Sequence, residues 1–98
     1  MLIMKKPAHF GKISAVTDIG AAIRAGRLAS GLRVSDICDL AGISLQTLND
    51  LEAGKSGVGI GKMLNVAHIL GIAFFSVSAE EKEQAEFELS KLTRKSTE

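Results

Sequence analysis

From residue 17 onward the apolar positions recur at spacings of three and four, which is the period of a helix with one buried face. Ile19, Ala22, Ile23 and Ala29, with the methylenes of Arg27, form one stripe. It predicts a helix over about Asp18–Ser30, with Thr17 as N-cap and Gly31 as the left-handed stop before Leu32. Val34, Ile37, Cys38 and Ala41 predict a second, shorter helix closed by Gly42. Ser44 then offers a hydroxyl N-cap to a third helix, whose inner face is Leu48 and Leu51 and which Gly54 ends. Gly57, Gly59 and Gly61 keep the next stretch open, and Ile60, Leu64, Ala67 and Leu70 define a fourth helix ending at Gly71.

The two ends of the chain differ in pattern. Residues 1–16 hold no sustained period and read as an N-terminal arm. Residues 17–71 form the helical body. Residues 72–98 open with Ile72-Ala73-Phe74-Phe75-Ser76-Val77, a short β-branched and aromatic run that predicts a strand. A lone strand has no partner within the chain, so Ile72, Phe74, Phe75 and Val77 are the expected interface of a homodimer. Ser78 with Glu81 is a capping-box pattern. It predicts a last helix over Ala79–Thr93, acidic at its start (Glu80, Glu81, Glu83) and basic at its end (Lys91, Arg94, Lys95).

Composition narrows the class. At 98 residues the chain is one domain with a thin core, which a dimer would supplement. The single Cys38 excludes an internal disulfide and a zinc site built on paired thiolates, and points to the reducing cytosol. No apolar stretch approaches the roughly 20 residues of a membrane span. Met1-Leu2-Ile3-Met4-Lys5-Lys6 places charge after a short apolar stub, the reverse of a signal peptide. The net charge is only +1, but residues 1–62 hold eight Lys/Arg against five acids and residues 63–98 hold four against six. A basic body with an acidic end fits phosphate contact by the first part. His9 and His68 stand apart from any ligand cluster, no nucleophile–base pair is readable, and neither a cofactor, a metal nor an enzymatic activity is expected.

The segment Val34–Glu52 carries the chemistry. Two short helices joined by Gly42-Ile43-Ser44, with small Cys38 and Ala41 at their crossing, have the layout of a helix-turn-helix, whose second helix enters the DNA major groove. With Leu48 and Leu51 turned inward, Ser44, Leu45, Gln46, Asn49 and Asp50 face out. The amides of Gln46 and Asn49 can pair with the N6/N7 edge of adenine, Leu45 can meet a thymine methyl, and Asp50 can accept from cytosine N4 or repel phosphates.

These residues resemble the phage-repressor and xenobiotic-response-element (XRE) family of helix-turn-helix proteins. The match runs through Ile19-Gly20-x-x-Ile23-Arg24-x-x-Arg27, Gly31-Leu32, Ile37-x-x-x-Ala41-Gly42-Ile43-Ser44 and Leu48-x-x-Leu51-Glu52-x-Gly54-Lys55, within about residues 19 to 71. The resemblance implies an all-α, lambda-repressor-like bundle of four to five helices that binds operator DNA as a dimer, here followed by the C-terminal strand and helix. It implies a structural ion pair between Arg27 and Glu52, and phosphate contact near Lys55 and Ser56. The chain departs from the family at Val34, where a Gln usually meets the DNA backbone, and at Cys38, where Ala is usual. That end of the contact then falls to Arg33 or Ser35. The expected DNA-binding set is Arg33, Ser35, Ser44, Leu45, Gln46, Thr47, Asn49, Asp50, Lys55 and Ser56.

The expected function is that of a cytoplasmic, sequence-specific transcriptional regulator, a repressor that binds a palindromic operator as a homodimer. A looser resemblance to HipB-type antitoxins lies in Gly57-Val58-Gly59-Ile60-Gly61-Lys62-Met63-Leu64 and Leu70-Gly71-Ile72. It adds a toxin protein as a second partner, with autoregulation of the operon. The alternative is an interaction module with little DNA binding of its own.

Overall fold

A computed structural model describes residues 10–95, and every regular element among them is helical. The order is α1 (Val16–Ser30), α2 (Val34–Ala41), α3 (Leu45–Glu52), α4 (Ile60–Ile69), a 3-10 turn at Ala79–Glu81, and α5 (Lys82–Lys95). The chain forms two units. One is Ile13–Ala73, and the other combines the described residues before Ile13 with those after Ala73.

In the Ile13–Ala73 unit, α1 packs on α3 and α4, and α2 packs on α3 and α4. In its centre Ile23, Ile37, Leu48, Leu51 and Val66 are fully buried, with Ala22, Met63 and Ala67 around them. Ala29, Ile60 and Leu64 of the expected stripes are exposed instead, and α4 turns Met63 and Val66 inward with Ala67. No aromatic residue takes part. The small side chains let the helices approach closely. Gly20 shows how closely: a Cβ there would lie 2.6 Å from the backbone carbonyl oxygens of both Leu51 and Glu52. The α2–α3 turn depends on Gly42 at φ 68°, a left-handed conformation that costs other residues strain. Its amide and that of Ile43 both donate to the Cys38 carbonyl. Asn65 of α4 donates to the Ala41 carbonyl at 3.3 Å, tying α4 to the end of α2.

Several boundaries differ from the sequence expectation. Helix α1 begins two residues earlier than Asp18, because the start is capped from inside the helix. Asp18 turns back and its Oδ2 accepts the N–H groups of Ser14 (2.8 Å) and Ala15 (2.9 Å), leaving Thr17 without the capping role. Asp36 does the same for α2, accepting the Arg33 N–H at 3.2 Å. Ser44 does cap α3, its Oγ accepting the Thr47 N–H at 3.0 Å. Gly61 lies inside α4 rather than in the loop before it, and Gly59 is the N-cap. Cys38 is half-buried.

The second unit departs further. The strand expected over Ile72–Val77 is absent among the described residues, since a strand needs a ladder partner and the single chain offers none. The helix expected from Ala79 opens as a 3-10 turn, and Ser78 Oγ meets Glu81 Oε1 at a long 3.4 Å instead of forming the full capping box. Lys12 Nζ pairs with Glu86 Oε2 at 2.9 Å, fastening residue 12 to α5 and holding the Glu86 carboxyl below its ordinary range. Of the arm expected over residues 1–16, residues 1–9 lie outside the described residues, and Val16 is helical.

Candidate nucleic-acid interface

Helix α3 has two distinct faces. Leu48 and Leu51 sit in the core, while Leu45, Gln46 and Asn49 are exposed. Leu45 is 55% exposed, an apolar side chain on the wet face next to two amides. Thr47 is half-buried and its hydroxyl lies 3.0 Å from that of Ser44, so both hydroxyls are engaged with the helix cap. Asp50 is half-buried and its Oδ1 accepts the Gln46 amide at 2.8 Å while lying 3.3 Å from Lys55 Nζ. Three residues expected to touch DNA separately are thus joined at one carboxylate oxygen.

The cations have partners too. The Arg33 guanidinium forks onto Asp36 at 3.1 and 3.2 Å, which keeps the Asp36 carboxyl below and the Arg33 guanidinium above their ordinary values. Ser35 and Ser56 are exposed. Residues 33–62 carry three cations (Arg33, Lys55, Lys62) and four carboxylates (Asp36, Asp39, Asp50, Glu52). The excess positive charge read from residues 1–62 therefore lies outside the two helices that build this face. Two backbone amides just after α3 are engaged within the chain, Gly54 N donating to the Leu51 carbonyl and Lys55 N to that of Asp50.

Behind α3, Arg27 and Glu52 meet in a two-pronged pair, Nε to Oε2 at 2.6 Å and Nη2 to Oε1 at 3.0 Å. The Glu52 hydrogen bonds outweigh burial and raise the Arg27 pKa. Arg24 Nη1 approaches Glu52 Oε1 at 4.0 Å from the same helix. This junction links α1 to the end of α3.

The four residues expected at a dimer interface separate into two groups. Ile72 belongs to its own chain: its N–H donates to the Ala67 carbonyl at 2.9 Å, and a Cβ on Gly26 would stand 2.6 Å from its Cδ1. Phe74 is half-buried, whereas Phe75 (90% exposed) and Val77 point to solvent. Ile72 closes the turn after α4, before the extended run begins.

The sequence pattern of the helix-turn-helix family matches residues 23–75, more than half of the chain and all of α2 and α3. The chain belongs to the XRE-type helix-turn-helix family. A relative in Sinorhizobium fredii (strain NBRC 101917 / NGR234), named as the uncharacterized HTH-type transcriptional regulator y4mF, is 42% identical over 60 residues, which is 61% of this chain and 79% of the relative. No solved structure matches the chain. In this helix-turn-helix protein, α2 and α3 are the two helices of the motif and Gly42-Ile43-Ser44 is the turn between them. Family membership supports a DNA-binding regulator as its function. No described helix is long and apolar enough to cross a membrane.

Proposed function

We propose that the protein is a sequence-specific transcriptional repressor that binds a palindromic operator as a homodimer, reading bases with Leu45, Gln46 and Asn49 of α3. The observation that carries this reading is the split of α3 into a fully buried Leu48–Leu51 face and an exposed face of one aliphatic and two amide side chains. Exposed amides and a methyl-bearing side chain suit the donor, acceptor and methyl groups of the major groove. Arg33, Ser35, Ser44, Thr47, Lys55 and Ser56 flank them, and the cations exchange their carboxylates for phosphates on binding. The near balance of charge in residues 33–62 makes non-specific affinity low, so that base contacts carry most of the preference.

A selection from random duplexes tests this. The operator is a pseudo-palindrome with half-sites roughly one helical turn apart, as a two-fold dimer requires. Gln46→Ala costs about 1–3 kcal/mol on that operator and little on random DNA. Lys55→Ala weakens both equally and flattens the salt dependence by roughly one counterion per subunit. If both variants lose affinity without regard to sequence, the recognition-helix assignment is wrong and an interaction module takes its place.

The homodimer rests on the run from Phe74 to Val77, where the exposed Phe75 and Val77 would be covered by the same run of a second copy. Sedimentation then gives twice the chain mass, and Phe75→Asp with Val77→Asp gives the monomer. A monomeric native protein at micromolar concentration would remove the dimer. Phe87 and Leu92 of α5 are also exposed, which favours a further protein partner for the C-terminal unit. An autoregulatory antitoxin is the reading in which that partner is a toxin, and co-expression with the product of the adjacent gene checks it.

A further inference from the structure

We infer that Asp50 sets which purine Gln46 accepts, favouring adenine over guanine by occupying one of the two hydrogens on the Gln46 amide. The inference rests on the reading of α3 as the base-reading helix.

The Gln46 amide nitrogen donates to Asp50 Oδ1 at 2.8 Å, and Lys55 Nζ lies 3.3 Å from the same oxygen. An ionised carboxylate can only accept, so the amide must turn its nitrogen toward Asp50, and its orientation follows from the chemistry. The two residues are four apart on one helix, the spacing at which side chains stand one above the other. In the free protein Lys55, just past α3, also reaches this carboxylate.

What remains for DNA on Gln46 is one N–H and the carbonyl oxygen. Adenine presents an N6–H donor and an N7 acceptor, which is the complement of that pair. Guanine presents O6 and N7, both acceptors. A free glutamine amide can turn both hydrogens toward them, but with one held by Asp50 the amide oxygen would face guanine O6, acceptor against acceptor. Asp50 is thus a positioning residue acting through Gln46, rather than the cytosine contact or phosphate repeller that its place on the outer face suggests.

The test starts from an operator selected from random duplexes by the native protein. The base pair whose preference Gln46→Ala relaxes is located, and adenine and guanine versions of it are titrated with native protein, Asp50→Ala and Asp50→Asn. Asp50→Ala lowers the adenine-to-guanine affinity ratio roughly three- to tenfold, the factor to which one ordinary hydrogen bond corresponds. Asp50→Asn lowers the ratio less, because its amide oxygen can still accept the Gln46 hydrogen, although its NH2 group can also donate and so holds the Gln46 amide less strictly. In a Gln46→Ala background neither change alters the ratio. An unchanged ratio in Asp50→Ala, or an equal fall in Asp50→Asn, overturns the inference while leaving α3 as the reading helix. If Gln46→Ala relaxes no base preference, the reading of α3 fails and the inference falls with it.

Discussion

Replacing Glu52 with alanine lowers the unfolding free energy by about 3 kcal/mol, measured by urea denaturation followed by circular dichroism. The side chains of Arg27 and Glu52 are only 17% and 11% exposed, and their two parallel hydrogen bonds satisfy both charges. Removing the carboxylate leaves Arg27 largely out of water with no acceptor, and leaves Arg24 nearby as a like charge. The expected loss lies at the low end of the range for breaking a buried pair, because both groups still reach water at one edge. A small domain has roughly 5–15 kcal/mol in total, so the midpoint falls steeply. Glu52→Gln keeps one acceptor and loses less. An unchanged midpoint in Glu52→Ala would mean that the pair is solvated.

Gly20→Val destabilises the fold by about 3 kcal/mol, the upper part of the range for overpacking, and Gly20→Ala by less. Alanine gains about 1 kcal/mol of helix propensity over glycine, which offsets part of the clash. The clash itself is with backbone: the carbonyl oxygens of Leu51 and Glu52 at 2.6 Å and the Gly54 nitrogen at 2.9 Å. None of these can swing away as a side-chain end would, so α1 must move off the end of α3. That movement also pulls Arg27 from Glu52, so Gly20→Ala and Glu52→Ala together cost less than the sum of the two alone. Greater stability in Gly20→Ala would show that the two helices separate without strain.

Comparing pattern with structure, the helical body was legible because its signals are local. Gly31, Gly42, Gly54 and Gly71 all adopt positive φ, and each stands where a helix was expected to end or just past its end. Ser44 was legible as an N-cap for the same reason. The start of α1 was not. Asp18 could be read as a favourable charge near the N-terminus, but only its actual rotamer shows it accepting from Ser14 and Ala15 and starting the helix earlier. The end of α4 misled in a similar way, since Ile72 has the composition of a strand residue and the position of a helix stop.

By itself the sequence determined the number and order of the helices through residue 71, the burial of Leu48 and Leu51, and the family, since a period of 3.6 and a glycine stop are properties of neighbouring residues. The tertiary structure alone decided which charges are already spoken for. Asp50 draws Gln46 and Lys55 to one oxygen, and Asp36 takes Arg33, because distances of about 3 Å between side chains depend on rotamers and on how the chain turns after each helix. It also decided that Gly20 stands against the end of α3, more than 30 residues away along the chain, and that Phe75 is exposed while Ile72 is held within its own chain. Local spacing cannot express such relations, because they arise only where elements distant in sequence are packed together.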